Sequence, residues 1–380
     1  MRLQPTATAC LFAALTLLLY AFRLTAPPIS PDEAAFNARA ATVRPGATPL
    51  FFRVNDDRWL QPAAVYANAA VSTAGGDDQS GRFASALLGA ADVALVFSIA
   101  HLLSGRVWVG MIAAVILMLT PAHWLLAQRG TDAIFPAPLV LLWLWNLVRF
   151  LKWDAMRSLA GAAAALGASL YVHPAGPMTA AFLWLLTLAV ARRRNRVRLL
   201  AATLVFGAAW LPAAWWFFRH PDTYPQTFGQ WLILAPHIRV PVAGLQAFLN
   251  PNTLGTRTSL YWGFWDPSWL FFSTNGTAAP LLLVTLPLIA LGLLHCAGRI
   301  HRESGIIVMG TALVVPLAGA TFGVPHYMAD AAAVLPILAL VAALGVDYLA
   351  ELVNRRRALK DKEDPGATDG WDSDPLMPRT

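Results

Sequence analysis

Acidic side chains at the ends of apolar runs are the residues of this chain best placed to do chemistry. Ser30-Pro31-Asp32-Glu33-Ala34 sets two adjacent carboxylates just after the first apolar run. Charges at a bilayer exit are costly unless paired or put to use. A carboxylate there can serve as a general base, taking the proton of a hydroxyl or amine. The same residues also read structurally: Ser30 or Asp32 caps a helix near 33–44, and Glu33 suits the positive end of its dipole. Arg129-Gly130-Thr131-Asp132 falls between the third and fourth apolar runs. It reads as an exposed ion pair at a helix start, or as a second acidic group converging on the first.

Leu50-Phe51-Phe52-Arg53, followed by Trp59-Leu60-Gln61-Pro62, is an aromatic stretch in the first long loop. It reads as a turn with an interfacial Trp anchor, or as a pocket wall with Arg53 or Arg58 near a lipid phosphate. The later loop holds Trp215, Trp216, Trp231, Trp262, Trp265 and Trp269. These suit an interfacial belt, and stacked aromatics also suit the flat faces of sugars and isoprenoid chains. His173 and His326 stand alone and read as loop or cap residues. No Cys/His cluster has metal spacing. Cys10 and Cys296 lie inside apolar runs as small core residues. Asn275-Gly276-Thr277 fits a glycosylation acceptor and is taken as chance.

The elements that position these groups follow from composition. The chain has 380 residues, 57% hydrophobic and 13% charged, with a mean hydropathy of +0.54. A soluble domain carries about 25% charged residues. Apolar runs fall near 7–24, 83–103, 107–127, 133–151, 157–172, 175–191, 198–217, 278–297, 305–323 and 328–350. Each is near the roughly 17–25 residues that cross a bilayer as a helix. The expected fold is an all-α polytopic membrane protein of about ten transmembrane helices. The net charge of +7 sits in short loops, so it sets topology and attracts anionic lipid headgroups; nucleic acid is not expected as a partner.

Arginines mark alternate loops: Arg106, then Arg149 to Arg157, Arg192 to Arg198, Arg299 with Arg302, and Arg355 to Arg357. The positive-inside rule puts that set in the cytoplasm. The long loops 25–82 and 218–277 then lie on the outer face, the first with amphipathic stretches near 32–44 and 62–74 lying along the membrane surface. Residues 351–380 read as a cytoplasmic tail, disordered from 358 onward. Scarce lysine (Lys152, Lys360, Lys362) beside abundant Arg and Ala points to a bacterium, hence to its inner membrane.

The order of motifs is similar to that of glycosyltransferases of the GT-C superfamily. A first span precedes Asp32-Glu33-Ala34 and a helix; an aromatic segment and Trp59-Leu60-Gln61-Pro62 follow. Gly81-Arg82 then precedes the second span and Arg129-Gly130-Thr131-Asp132 the fourth. The segment Tyr261 to Phe272, and Pro325-His326 through Pro336, resemble the last outer loop and final span of such proteins. The group most resembled comprises bacterial relatives of protein O-mannosyltransferases and of the lipid A aminoarabinose transferase, and the resemblance covers residues 1–350.

The resemblance implies a membrane enzyme that moves a sugar from a polyprenyl-phosphate donor to a lipid, glycan or protein acceptor on the extracytoplasmic face, with inversion. Asp32 matches the family's essential acid, with Glu33 its neighbour, and Asp132 matches the second outer acid. Pro62 matches a proline often preceded by a lysine on the donor phosphate, but Gln61 stands here, and a neutral amide cannot offset that charge. Phosphate binding then falls to Arg53, Arg58, Arg129 or Arg257. The family arginine before the last span is also missing; His326 and Asp330 stand there. A divalent cation, Mg or Mn, is left open as a cofactor. Two alternatives are a transporter or flippase of lipid-linked intermediates and an inactive scaffold on the same fold.

Overall fold

The computed structural model describes residues 4–22, 24, 28–44, 46, 49–55, 58–73, 79–228, 251–272, 278–299, 303–322 and 328–363. Helix α1 (Pro5–Ala21) leads to α2 (Pro31–Ala40), a two-stranded antiparallel hairpin of β1 (Phe52–Asn55) and β2 (Arg58–Leu60), and α3 (Pro62–Thr73). Then come α4 (Ser80–Ser104), α5 (Val107–Met118), α6 (Pro121–Ala127), α7 (Pro136–Trp153), α8 (Met156–Ala168), α9 (Gly176–Ala191), α10 (Arg196–Ala208), α11 (Leu211–Arg219) and α12 (Thr223–Phe228). The chain continues through α13 (Leu254–Gly263), α14 (Pro267–Phe271), α15 (Thr285–Gly298), α16 (Glu303–Phe322) and α17 (Val334–Glu363).

Each of the ten apolar runs carries helix, but they differ in reach. Among the described residues four stretches are long and apolar enough to cross a membrane: Ser80–Ser104, Arg196–Arg219, Glu303–Ala320 and Val334–Arg357. The run 107–127 is not the straight span expected. It bends by 67° between α5 and α6, where Pro121 at the start of α6 offers no N–H to the preceding turn; counted as one span, it makes a fifth. Helices Pro5–Ala21, Gly176–Ala191 and Thr285–Gly298 are apolar but shorter. Helix α17 continues to Glu363, into the segment expected to be a tail.

The core is built around α4 and α17. Helix α4 packs on α1, α3, α5 and α7, while α17 packs on α15, α5 and α4. Residues 331–345 are buried without a break, so the first half of α17 is enclosed on every side, as an all-round apolar helix requires. Two glycines permit its contact with α15. A Cβ at Gly292 would lie 1.9 Å from the carbonyl oxygen of Val341, and one at Gly345 2.0 Å from that of Leu288. Small residues allow this backbone approach inside a membrane, where apolar surface alone gives helices no reason to associate.

The two ends of the bundle differ chemically. At one end Arg106 pairs with Asp347 and Glu351, Arg299 with Glu351, and Arg194 with Glu303. At the other end, where α4 begins and α17 is about to begin, lie Arg82 and Asp330. Helix α4 has 25 residues, which at 1.5 Å each separates the ends by about 37 Å.

Candidate active site

Polar groups fold the segment between α1 and α4. Ser30 caps α2: its hydroxyl accepts from the Glu33 amide, and the Glu33 carboxylate accepts from the Ser30 amide at 2.8 Å, a reciprocal capping box. The same carboxylate receives Arg82 in a two-pronged pair, Nε to Oε1 and Nη2 to Oε2, both at 3.0 Å. The Gly130 amide donates to Oε1 at 2.9 Å. Arg82 also donates to the carbonyls of Leu24 and Pro28. A Cβ on Gly130 would come within 3.1 Å of the Arg82 amide nitrogen, so the glycine lets this loop press against the start of α4.

Glu33 is 3% exposed and Arg82 4%. Burial alone would raise the Glu33 carboxyl, but Arg82 and the two amides outweigh it and hold the pKa at about 2. A carboxylate so engaged is a poor base. Glu33, expected beside the catalytic acid, is instead the clamp that joins α2, α4 and the loop before α7. Arg82 is the partner sequence reasoning missed; an arginine at the head of an apolar span, opposite a loop carboxylate, was the available signal.

Asp32, its neighbour, is exposed where Glu33 is buried. It lines a cavity of about 470 Å³ with Arg58, Gln61, Arg129, Asp132, His173 and Asp330. That volume is within the roughly 300–1,000 Å³ of small-ligand pockets. Asp32 is exposed and accepts from Arg58 at 2.8 Å. Arg58 sits on β2, opposite Asn55 in the hairpin. The hairpin is held by Arg39, which donates to the Val54 carbonyl, and by Trp59, whose indole N–H donates to Gln226. Arg129 lines the same cavity and is exposed. The cavity thus carries separate acidic and basic groups contributed by three loops distant in sequence.

At the cavity floor, burial raises the Asp132 carboxyl to about 7, with Arg58 opposing and the Asp32 charge adding. Asp330 rises to about 6, again through burial, with His173 opposing and Asp132 adding. His173 Nδ1 accepts from the Ala175 amide at 3.1 Å. A neutral ring then carries its proton on Nε2, which lies 3.8 Å from Asp330 Oδ1. Burial pushes the His173 imidazole down. Read in sequence as a loop residue, His173 stands on the cavity wall beside Asp330.

The remaining candidates separate. Gln61 and Pro62 are buried at the turn from β2 into α3, and Gln61 lines the cavity. Arg53 does not; it is exposed on β1, with Nε donating to the Asn55 carbonyl. Arg257 is buried on α13 and also does not line the cavity. Both were expected near a donor phosphate, and neither is among the residues lining this cavity. His326, Trp231 and Asn275 to Thr277 lie outside the described residues. Among the described residues no three His, Cys, Asp or Glu side chains are grouped so as to hold a metal ion.

No family model matches this chain, and no curated protein matches it. Solved structures do. ArnT from Cupriavidus metallidurans bound to undecaprenyl phosphate aligns with 97% of the chain at 14% identity and a TM-score of 0.57, over 66% of its own length. The same ArnT in the apo state aligns with 94% at 16% identity and 0.59, over 62% of its length. The Archaeoglobus fulgidus oligosaccharyltransferase in complex with Zn and sulfate aligns with 96% at 14% identity and 0.58, over 52%. The chain therefore spans between half and two thirds of the length of these proteins. Both are of the GT-C superfamily, and the fold of this chain is the GT-C fold.

Proposed function

We propose that this protein is an integral membrane glycosyltransferase that moves a sugar from a polyprenyl-phosphate donor to an acceptor at the outer face of a bacterial inner membrane. One observation carries the reading: Asp32, Asp132 and Asp330 meet Arg58 and Arg129 in one cavity, on this fold, at the end opposite the arginine-rich loops.

In this reading the isoprenoid tail lies in the bilayer and its phosphate reaches Arg58 and Arg129. Arg58 now holds Asp32, so a phosphate that draws Arg58 away releases the Asp32 carboxylate as base. An acceptor hydroxyl gives its proton to Asp32 as its oxygen bonds to the anomeric carbon. The bond from that carbon to the phosphate oxygen breaks, and polyprenyl phosphate leaves, stabilised by the arginines. A single displacement inverts the anomeric carbon. Positive charge develops on the sugar in an oxocarbenium-like transition state, and ionised Asp132 offsets it.

The test is transfer in nanodiscs, with radiolabelled polyprenyl-phosphate hexoses and pentoses as donors and total membrane extract as acceptor. Wild type transfers label, and Asp32→Asn lowers the rate at least about 100-fold, the low end of what a positioned base contributes. Label that crosses the bilayer without being transferred would replace the enzyme with a transporter.

A further inference from the structure

Two side chains lining the cavity carry buried polar atoms that have no hydrogen-bond partner among the described residues. Gln61 is 1% exposed, and among the described residues neither its amide nitrogen nor its carbonyl oxygen has a hydrogen-bond partner. Asp330 is 7% exposed; its Oδ2 has no partner either, and its Oδ1 only faces His173 at 3.8 Å. Other polar groups of the same wall are engaged: Glu33 with Arg82, and Gln128 with the Tyr20 carbonyl. Buried polar groups are nearly always paired, and one left unpaired calls for a partner that arrives from outside.

The chemistry of that partner follows from the two groups. Gln61 offers two N–H donors and a carbonyl acceptor, and Asp330 offers a carboxyl. A phosphate has acceptors only; it would leave the Gln61 carbonyl unpaired and be repelled by ionised Asp330. An isoprenoid chain pairs with neither. A hydroxyl both donates and accepts, so a group carrying several hydroxyls can pair with the amide and with the carboxyl of this one cavity. Gln61 is also held in place: it follows Leu60, paired in register with Phe52, and precedes Pro62 at the start of α3.

We propose that Gln61 and Asp330 form the sugar-reading wall of the cavity and bind hydroxyls of an uncharged, polyhydroxylated glycosyl group. This rests on the polyprenyl-phosphate-sugar reading above. It gives Gln61 a role toward the sugar and leaves the phosphate to Arg58 and Arg129.

The test is equilibrium binding to the full chain in nanodiscs. The probes are bare decaprenyl phosphate and decaprenyl phosphate carrying glucose, mannose or arabinose. Wild type binds at least one glycosylated lipid about tenfold more tightly than the bare one. Gln61→Leu and Asp330→Asn each cut that preference by about three- to tenfold, the worth of one or two hydrogen bonds, and leave the bare lipid's affinity unchanged. That retained affinity shows the variants are folded; Gln61→Met, of similar length, replaces Gln61→Leu should the latter misfold. Equal losses for bare and glycosylated lipids, or a wild type without preference, overturn the inference and leave the donor reading standing. A wild type that binds none of the lipids overturns both.

Discussion

A buried guanidinium at the head of α4 must be paired, and Glu33 pairs it while also receiving two backbone amides. Glu33→Gln leaves Arg82 charged and half-satisfied. Breaking one side of such a pair costs about 3–5 kcal/mol, so thermal unfolding of the variant in detergent should fall well below wild type. The pH dependence follows from the same contacts. The folded carboxyl sits at about 2 against its ordinary 4.5. Its contribution is fully present above 4.5 and is lost as pH falls from there toward 2. Wild type should lose stability across that window more steeply than Glu33→Gln. Asp132 runs the opposite way, raised from 3.8 to about 7. If its ionised form offsets charge on the sugar, kcat/KM rises with pH through about 7, and Asp132→Asn removes that limb while transfer at high pH drops. The structure gives the cap of α2 to Ser30, with Glu33 closing a capping box. A cap by Ser30 or Asp32 was legible as a sequence pattern, because capping is local. That Glu33 is consumed by Arg82 was not, since the pair joins residues far apart in the chain. His173 and Asp330 were each visible as single residues, but their closeness depends on how α9 and α17 approach.

The elements around the cavity were legible as far as periodicity and turn chemistry reach. Helices stand at Pro31–Ala40 and Pro62–Thr73; the second matches the stretch read near 62–74, and the first ends at Ala40, short of the end of the stretch read near 32–44. The hairpin between them was missed: with strands of four and three residues there is too little alternation to see. The bend between α5 and α6 was missed too, although Thr120-Pro121 marks it. Its inner side is held by a polar chain inside the apolar core. Tyr20 on α1 meets His123 Nδ1 on α6 at 2.9 Å, and His123 Nε2 meets Asp92 on α4 at 3.1 Å. All three are fully buried. Polar groups so deep in a membrane fold demand partners, and this chain fixes α6, whose next residues bring Gln128 and Arg129 to the cavity. His123→Leu strips Asp92 of its imidazole and should destabilise the protein by several kcal/mol. Asp92→Leu with His123→Leu removes the need for pairing, so the double variant should be more stable than the His123→Leu single. A double variant as unstable as the sum of the singles would show that the two act independently.

At the scale of the whole molecule, composition alone made the membrane class legible, because soluble chains do not repeat apolar runs in series. Which end faces which compartment is a separate matter, and it rests on loop charge. The cavity lies beside the heads of α2 and α4, and the arginine-rich loops with their ion pairs gather about 37 Å away at the far end of α4. Arginine is retained on the cytoplasmic side of a membrane, and on that ground the cavity is proposed to face outward. Single cysteines on a Cys10→Ser background test this directly; the other native cysteine, Cys296, is buried. Asn55 on the hairpin and Arg193 in the basic loop are both exposed and neither lines the cavity, so both tolerate the change. A membrane-impermeant maleimide should label Asn55→Cys on intact spheroplasts, and Arg193→Cys only after permeabilisation. The reverse pattern would turn the cavity to the cytoplasm and exclude an extracytoplasmic acceptor. Labelling of both from outside would mean that the helices between them cross the membrane an even number of times. The expected alternation puts five crossings there, α4 through α9, with α5 and α6 as one broken span. The outcome therefore fixes orientation and, at the same time, whether shorter helices such as α8 (Met156–Ala168) traverse the bilayer.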